Sequence, residues 1–262
     1  MFHYAKTAFL SFPRLLFFHW FKMKKWAKHL DRFPLEMRYA QIRALSKRII
    51  RNFNCEINIF GLENIPSDTN FFMVSNHMSA LDPLPFIINY EKPLAFIGKK
   101  ELMQVPILPT AIKVIEADYI DREDLRQSLT VMLKVEDDLK KGNKSWMIFP
   151  EGTRIRDQLC KVGEFHHGTF RPAIKAGVPI VPAAIYGSFR VLKNKPSFKK
   201  YPVSISFLKP LMPEDYKGMP TSDIALLMQQ AIQREITYHL RPLDHKIMSE
   251  AKDKKYKYTQ VL

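Results

Sequence analysis

The stretch NFFMVSNHMSALDP, residues 70–83, passes from an apolar run through a polar segment to an Asp-Pro pair. Its first six residues have the composition of a buried strand, and Pro83 suits the first position of a helix that has Asp82 as its N-cap. Asn76 and His77, between them, are costly to bury without partners. The stretch therefore predicts a strand, a loop and a helix, in which the polar groups either satisfy one another or serve a chemical site.

The alternation of short apolar runs and helical patterns extends along the chain. Strands that alternate with helices indicate an α/β layered core, and 262 residues suit one large domain or a domain with an appended piece. Strand-like runs rich in Ile, Val and Phe lie at residues 55–60, 70–75, 94–98, 145–149, 179–186 and 202–208.

Two helical patterns are clear. The first follows YIDRED and is predicted to have Asp121 as its cap and Asp124 at its third position, and to end at Gly142. The second is predicted to begin at Thr221 or Ser222. The apolar stripe that identifies the first helix comprises Leu125, Leu129, Met132, Leu133 and Leu139.

The charge is distributed unevenly. Lys and Arg number 41 against 26 Asp and Glu, a net charge of +15, and residues 1–51 alone hold twelve basic residues against Asp31 and Glu36. Such a basic segment is typical of contact with a polyanion, either nucleic acid or an anionic membrane. The same segment contains AFLSFPRLLFFHWF, residues 8–21, and Phe, Leu and Trp interleaved with basic residues fit a bilayer interface better.

The apolar block is too short to span a membrane, because spanning takes about 20 apolar residues and Pro13 and Arg14 interrupt it. The same interruption argues against a signal peptide. We expect a basic amphipathic helical segment over residues 1–51 that lies in the membrane plane, an α/β domain over 52–245 and a basic tail over 246–262. An apolar helix docked on the protein's own core is the alternative.

A second buried run also ends in polar residues, in SWMIFPEGTR, residues 145–154. Gly152 permits a sharp turn or a close approach to a ligand, and Arg154 offers a planar fork for a phosphate or carboxylate. Ligands in α/β sheets collect beyond strand ends. If Asp82 folds back on His77, it fixes the imidazole tautomer and lets the other ring nitrogen take a proton. A plain strand-to-helix turn is the alternative for that pair.

The two stretches resemble the signatures of a known family. NHMSALD resembles the NHxxxxD block, and FPEGTR the second signature, of the 1-acyl-sn-glycerol-3-phosphate acyltransferases in the glycerolphosphate acyltransferase superfamily. YIDR (119–122), GVPIVPAAI (177–185) and GKKEL (98–102) agree in order, so the resemblance covers about residues 55–190. It implies a mixed central sheet flanked by helices, and transfer of an acyl group from a thioester to the free hydroxyl of 1-acyl-glycerol-3-phosphate, giving phosphatidic acid.

The resemblance also implies roles for individual residues. His77 would be the general base and Asp82 would orient it. Glu151 is expected to order its turn rather than to contact an anion, and Arg156 is a weaker candidate for phosphate contact. The expected substrate-binding residues are Arg122, Glu151, Gly152, Thr153, Arg154 and Lys99.

Neither a metal nor a cofactor is expected. A thioester is already activated, the chain has no Gly-x-Ser-x-Gly elbow, and Cys55 and Cys160 form no metal-ligand spacing. Acyl-CoA or acyl-acyl carrier protein would be a substrate. The expected partners are thus the membrane lipid surface, lysophosphatidate and the acyl thioester, with acyl carrier protein as a further candidate and no nucleic acid. Nothing calls for an oxidising compartment, which favours peripheral attachment to the cytoplasmic face of the cell membrane.

Two alternatives remain open. The family usually has a glycine where this chain has Glu116, so the acceptor could instead be glycerol-3-phosphate or a lysophospholipid. The second alternative is a non-catalytic basic protein that binds membranes or nucleic acid. Its footprint would be RVLKNKPSFKKY, residues 190–201, although no nucleic-acid motif is present.

Overall fold

The fold is built on a single sheet of seven strands. The computed structural model describes Pro13 and residues 16–155, 161–192 and 200–250. The order across the sheet is β1-β7-β6-β2-β5-β3-β4. The strands are β1 (Cys55–Phe60), β2 (Phe72–Ser75), β3 (Leu94–Lys99), β4 (Asp118–Ile120), β5 (Ser145–Ile148), β6 (Ile180–Tyr186) and β7 (Tyr201–Phe207).

The sheet is mixed, as predicted. Strands β6, β2, β5, β3 and β4 run parallel to one another. Strand β7 is antiparallel to β6, and β1 is parallel to β7, so these two strands run opposite to the rest. The six predicted strands are present. Strand β4 was not predicted, because its three half-buried residues at the sheet edge are too few to show a pattern.

Helices pack on this sheet in two groups. The first group comprises α1 (Lys24–Lys28), α2 (Leu35–Asn52), α3 (Pro83–Asn89) and α4 (Leu108–Val114), which contact one another. The second comprises α5 (Leu125–Lys140), α6 (Arg171–Ala176) and α8 (Thr221–Glu235). The short helix α7 (Pro213–Tyr216) precedes α8, and α9 (Arg241–Glu250) packs against β7 and runs into the predicted tail, of which residues 251–262 lie outside the described residues.

Helix α5 differs from the prediction in its cap and in its buried face. Asp124, not Asp121, is the N-cap, and its carboxylate accepts the Gln127 N–H at 2.9 Å. The buried positions are Val131, Val135, Asp138 and Leu139. Most of the predicted stripe faces outward: Leu125, Leu129 and Leu133 are 82%, 59% and 53% exposed.

Polar pairing explains the orientation of α5. The Asp138 carboxylate accepts the indole N–H of Trp146 at 3.1 Å and pairs with the Lys144 ammonium at 3.2 Å. These contacts turn the helix so that Asp138 and the valines face β5. A hydrophobicity pattern does not register a buried aspartate, so it places the leucines on the inner face.

The N-terminal segment is partly core and partly surface. Met23, Trp26 and Tyr39 are buried in the main hydrophobic core. Just before them an apolar patch faces outward, comprising Leu16, Phe17, Trp20 and Phe21 at 42–66% exposure. Residues 8–12, 14 and 15 of the apolar block lie outside the described residues. Among the helices that are described, none is long and apolar enough to cross a membrane.

A buried ionic network ties α2 to the sheet. The Arg38 guanidinium, 2% exposed, bonds the Glu116 carboxylate at 2.6 Å, and the Lys144 ammonium bonds the other oxygen of Glu116 at 3.0 Å. Burial opposes ionisation of Glu116, but these two cations outweigh it and lower its pKa. Glu116 and Lys144 immediately precede β4 and β5, so the network lies at the amino-terminal ends of the parallel strands.

Candidate active site

Both polar stretches singled out in the sequence lie at one edge of the sheet. Strands β2, β5, β3 and β4 are parallel, so their carboxyl-terminal ends meet there. The NHxxxxD residues follow β2 and the FPEGTR residues follow β5, its neighbour. Ligand sites in open α/β sheets form beyond such strand ends.

His77 and Asp82 form the expected pair. The Nδ1 of His77 lies 2.8 Å from the Oδ2 of Asp82. Oδ2 also accepts the backbone N–H groups of Met78 and Ser79, at 2.7 and 2.8 Å, and Asp82 is fully buried. Asp82 does occupy the N-cap position of α3, with Pro83 at the first helical position, but its side chain makes no capping bond. The prediction that Asp82 caps the helix is wrong, because the loop takes up its carboxylate.

Asn76 is structural. Its side-chain amide donates to the Ile185 carbonyl and accepts the Ile185 N–H, both at 2.9 Å. The side chain therefore extends the ladder between β2 and β6 one residue beyond the end of β2. A buried Asn can therefore follow the strand, because its side-chain amide donates and accepts hydrogen bonds as a backbone peptide group would.

Phe149 is a member of the site that the sequence analysis missed. Its ring stacks on the His77 imidazole, with centroids 4.1 Å apart and planes tilted by 16°. Asp82 holds one nitrogen of the imidazole and Phe149 covers one face. The ring edge that carries Nε2 is the part left for chemistry, and the His77 side chain is 17% exposed. The first letter of FPEGTR is the available signal, but the apolar pattern includes this Phe in the strand.

Glu151 forms hydrogen bonds to the backbone of His77 and of Gly163. One carboxylate oxygen accepts the His77 N–H at 2.9 Å and the other accepts the Gly163 N–H at 3.1 Å. The Ile155 N–H donates to the His77 carbonyl at 2.8 Å. The turn after β5 thus holds the His77 residue from both sides, in agreement with the expectation that Glu151 orders its turn.

The environment of Glu151 opposes its ionisation. The residue is 6% exposed. Burial raises the pKa of Glu151 to about 7, with the nearby Asp82 carboxylate adding to the rise, against the two backbone bonds that favour the charged form. The site therefore holds two buried carboxylates on either side of His77, one at its ring and one at its backbone.

Gly152 brings an arginine from another strand into the site. It has φ +61°, and a Cβ placed there would overlap the guanidinium of Arg122. Arg122, just beyond β4, therefore packs directly on the turn that contains Thr153 and Arg154, as the sequence predicts for a shared site. The side chains of Arg122, Thr153 and Arg154 are exposed. Arg122 thus lies against the turn that also carries Arg154, next to the residues that bond the His77 backbone.

The remaining candidates lie further out or elsewhere. Lys99 ends β3, is exposed, and lies in register with Ile120 of β4 on the same sheet edge. Arg156 and Cys160 lie outside the described residues. Glu116, whose difference from the family kept other acceptors open, belongs to the Arg38 network at the opposite ends of the strands. It has φ +54°, a conformation that glycine adopts freely, so the backbone at this position suits a glycine.

This arrangement can remove a proton from a bound hydroxyl and hold an anion beside it. A buried carboxylate on Nδ1 fixes the tautomer that leaves Nε2 as an acceptor and stabilises the imidazolium once it forms. Guanidinium groups bind phosphate through paired N–H donors.

Comparison with known proteins agrees with this chemistry. A family model described as Acyltransferase matches residues 56–186, half of the chain. A probable 1-acyl-sn-glycerol-3-phosphate acyltransferase of Mycoplasma pneumoniae is 29% identical over 208 residues, which cover 74% of this chain and 76% of that protein. The 1-acyl-sn-glycerol-3-phosphate acyltransferase of Borreliella burgdorferi is 30% identical over 150 residues, which cover 57% of this chain and 59% of the relative.

The fold has a counterpart among solved structures. The crystal structure of the 1-acyl-sn-glycerophosphate acyltransferase PlsC from Thermotoga maritima superposes with a TM-score of 0.65 at 23% identity. The match covers 90% of this chain and 91% of that one, so the shared fold includes the helices as well as the sheet.

Proposed function

Because the chain belongs to the acyltransferase family, we propose that it transfers a fatty acyl group from a thioester to the free hydroxyl of 1-acyl-glycerol-3-phosphate, giving phosphatidic acid. One observation carries the proposal: the His77–Asp82 pair, at 2.8 Å, is bonded through the His77 backbone to the turn that carries Arg154 and against which Arg122 packs. The names of the Mycoplasma and Borreliella relatives support the same acceptor.

In the proposed reaction His77 acts as the general base. Its Nε2 takes the proton of the acceptor hydroxyl as the hydroxyl oxygen attacks the thioester carbonyl carbon. The tetrahedral intermediate then collapses, the carbon–sulfur bond breaks, and the thiolate leaves with the proton from the imidazolium. Asp82 stabilises the charged imidazolium between these steps, and the stacked Phe149 ring maintains the orientation of the imidazole.

The acceptor phosphate is assigned to Arg122 and Arg154, with Thr153 as a further donor. These side chains are exposed, so they can bind an anion that does not leave water completely. Binding the phosphate there would place the free hydroxyl toward His77. Glu151 is assigned a positioning role, because both its oxygens are taken by backbone N–H groups.

The acceptor and product are amphiphiles that stay in a bilayer, which supports attachment of the enzyme to a membrane surface. The exposed patch Leu16, Phe17, Trp20 and Phe21, in a segment rich in Lys and Arg, has the character of an interfacial anchor. We place the protein as a peripheral enzyme on the cytoplasmic face, with acyl-CoA or acyl-acyl carrier protein as donor. Glycerol-3-phosphate or a lysophospholipid is the alternative acceptor.

The test is an assay of purified protein with lysophosphatidate, glycerol-3-phosphate and lysophosphatidylcholine, each offered with both donors. The proposal expects lysophosphatidate to be preferred. It also expects His77→Ala to lose at least about 100-fold in kcat, the lower range for general base catalysis, while circular dichroism shows that the protein is still folded. His239→Ala, at an exposed histidine of the C-terminal helices, is the matched control. A folded His77→Ala protein with near-native turnover would rule out the base.

A further inference from the structure

We propose that a basic cleft beside β1 binds the phosphate of an anionic phospholipid in the same bilayer that supplies the acceptor. The inference rests on the proposed function in one respect, that the His77 edge of the sheet faces a membrane. The cleft has a volume of about 380 Å³. It is lined by Lys47, Ile50, Arg51, Asn54, Cys55, Glu56, Ile57, Ile88 and Lys200.

The cleft has an excess of positive charge. Lys47 and Arg51, one turn apart on α2, are exposed, and neither has an ion-pair partner among the residues that the structure describes. The third cation, Lys200, lies 3.5 Å from the Glu56 carboxylate, so this pair is nearly neutral. Two unneutralised cations at a spacing of four residues on a helix lie on one face, and together they suit a single phosphate.

The wall between these cations is apolar. Ile50 is 6% exposed, and Ile57 and Ile88 are half-buried. Burial raises the pKa of the Cys55 thiol to about 12, so this group adds no negative charge. Cations beside an apolar wall fit a phospholipid, whose phosphate can bind the cations while its glycerol and the first part of its acyl chains contact the wall. A free inorganic anion or a sugar phosphate would leave the exposed parts of Ile57 and Ile88 in water.

The topology turns the cleft toward the same side as the catalytic edge. Because β1 and β7 run opposite to the other strands, their amino-terminal ends lie at the edge where β2 and β5 end. Cys55 pairs with Tyr201 at those ends, and Asn54 accepts the Tyr201 N–H at 2.7 Å just outside the sheet. A bilayer that meets the His77 edge would therefore also meet Lys47 and Arg51.

The cleft is separate from the catalytic pocket. Two strands, β7 and β6, lie between β1 and β2, which puts β1 about 14 Å from β2 at the usual strand spacing. None of its lining residues belongs to the turn at 151–155 or to the NHxxxxD loop. One lysophosphatidate cannot fill both places, so the cleft would take the headgroup of a second lipid.

Lys200 belongs to the basic stretch RVLKNKPSFKKY, residues 190–201, of which residues 193–199 lie outside the described residues. That stretch alone fits nucleic acid as well as a membrane. The apolar wall and the limited volume of the cleft favour a lipid headgroup over an extended polyanion.

The experiment compares two double variants of the full chain, both made on His77→Ala so that binding is read without turnover. Lys47→Gln/Arg51→Gln removes the two cleft charges. Lys140→Gln/Lys141→Gln removes two charges from α5, where each lysine pairs with an acid four residues earlier on the helix. Binding is measured by sedimentation with phosphatidylcholine vesicles, with and without 20 mol% phosphatidylglycerol as the probe (about one lipid in five).

The cleft variant is expected to bind the anionic vesicles about 10- to 30-fold more weakly than the parent, and the α5 variant within about twofold of it. Both should bind pure phosphatidylcholine vesicles like the parent. Equal loss in the two variants would reduce the effect to net charge and overturn the proposal. The proposal would also fail if the cleft variant kept full binding to anionic vesicles.

Two further arms separate this inference from its alternatives. If a single-stranded oligonucleotide competes with the vesicles and its own binding depends on Lys47 and Arg51, the cleft is a nucleic-acid site and the lipid assignment is wrong. With His77 intact, Lys47→Gln/Arg51→Gln should turn over a detergent-dispersed acceptor at the native rate. An inactive native enzyme would refute the proposed function alone, since the vesicle comparison does not depend on turnover.

Discussion

The hold of Glu151 on the His77 backbone makes Glu151→Gln the most informative substitution. Gln has nearly the same shape, but only one of its two terminal groups accepts a hydrogen bond. Either the His77 N–H or the Gly163 N–H, which Glu151 accepts at 2.9 and 3.1 Å, must then face an NH₂ group. The chain keeps its packing and loses one bond of the grip on the base.

The size of the effect follows from that bond. A hydrogen bond to a charged group contributes about 1.5–3 kcal/mol, and about 1.4 kcal/mol corresponds to a factor of ten in rate. If the bond serves to position His77, kcat should fall about 10- to 100-fold, while KM for the acceptor stays within about twofold. The assay belongs at pH 8, where a glutamate with a pKa of about 7 is mainly ionised in the native enzyme.

A second readout reports on burial and not on catalysis. The pKa of Glu151 is raised from 4.5 to about 7 on folding, so the folded chain binds more protons than the unfolded chain between these values. The free energy of unfolding should therefore fall as the pH rises through this window, by at most about 3 kcal/mol. Glu151→Gln should remove that slope, and Glu164→Gln, at an exposed position in the next loop, should keep it.

The kinetic split decides between positioning and binding. A rise in acceptor KM with unchanged kcat would mean that Glu151 contacts the substrate, and the reasoning from its backbone bonds would be refuted. If Glu151→Gln kept the native kcat and the native KM, the hydrogen bond from the His77 N–H to Glu151 would not contribute to catalysis.

Three further substitutions test other parts of the structure. Gly152→Ala should displace the Arg122 guanidinium and raise the acceptor KM at least about tenfold more than the donor KM, whereas Gly168→Ala, where an added Cβ meets nothing within 4 Å, should leave both unchanged. Phe149→Leu should lower kcat without changing either KM, because it uncovers one face of the His77 ring; a rise in KM alone would contradict the stacking role. The guanidinium of the fully buried Arg190 donates to both carboxylate oxygens of Asp244, each at 2.7 Å. Asp244→Asn should therefore lower the free energy of unfolding in urea by about 3–5 kcal/mol, and a decrease below about 1 kcal/mol would contradict the importance of this buried pair.

The alternation of apolar runs and turn residues was enough to predict most of the sheet. The loop between His77 and Asp82 was also predictable, because a carboxylate five residues on reaches the imidazole only if the chain turns back. Tertiary polar contacts were not predictable in the same way. Asp138 on the buried face of α5 owes its place to the side chain of Trp146 at the start of the next strand. Asn76 in the ladder depends on Ile185, far along the chain, and Asp82 is turned from its helix by backbone N–H groups of its own loop.

The turn after β5 illustrates the same limit at the site. Its sequence predicts a sharp bend and an anion-binding arginine, but it does not reveal that Glu151 and Ile155 bond the backbone of a residue 70 or more positions earlier. Likewise, Phe149 could be placed in a strand from its neighbours but not on the face of an imidazole. Contacts between two loops depend on the sheet order, which a pattern of single strands does not contain.

The ion pairs of Arg38 join the N-terminal helices firmly to the sheet. Separating α2 from the sheet would break the Arg38–Glu116 ion pair and leave Glu116 and Lys144 without their third partner. Arg38 and Lys144 are 2% and 4% exposed, so this separation would be unfavourable by several kcal/mol. If Trp20 and Phe21 enter a bilayer, they therefore set the tilt of the whole molecule and not merely its distance from the surface. A short flexible insertion between Phe21 and the buried Met23 would preserve attachment but free that tilt, and turnover on vesicles would then fall while turnover on dispersed acceptor stayed the same.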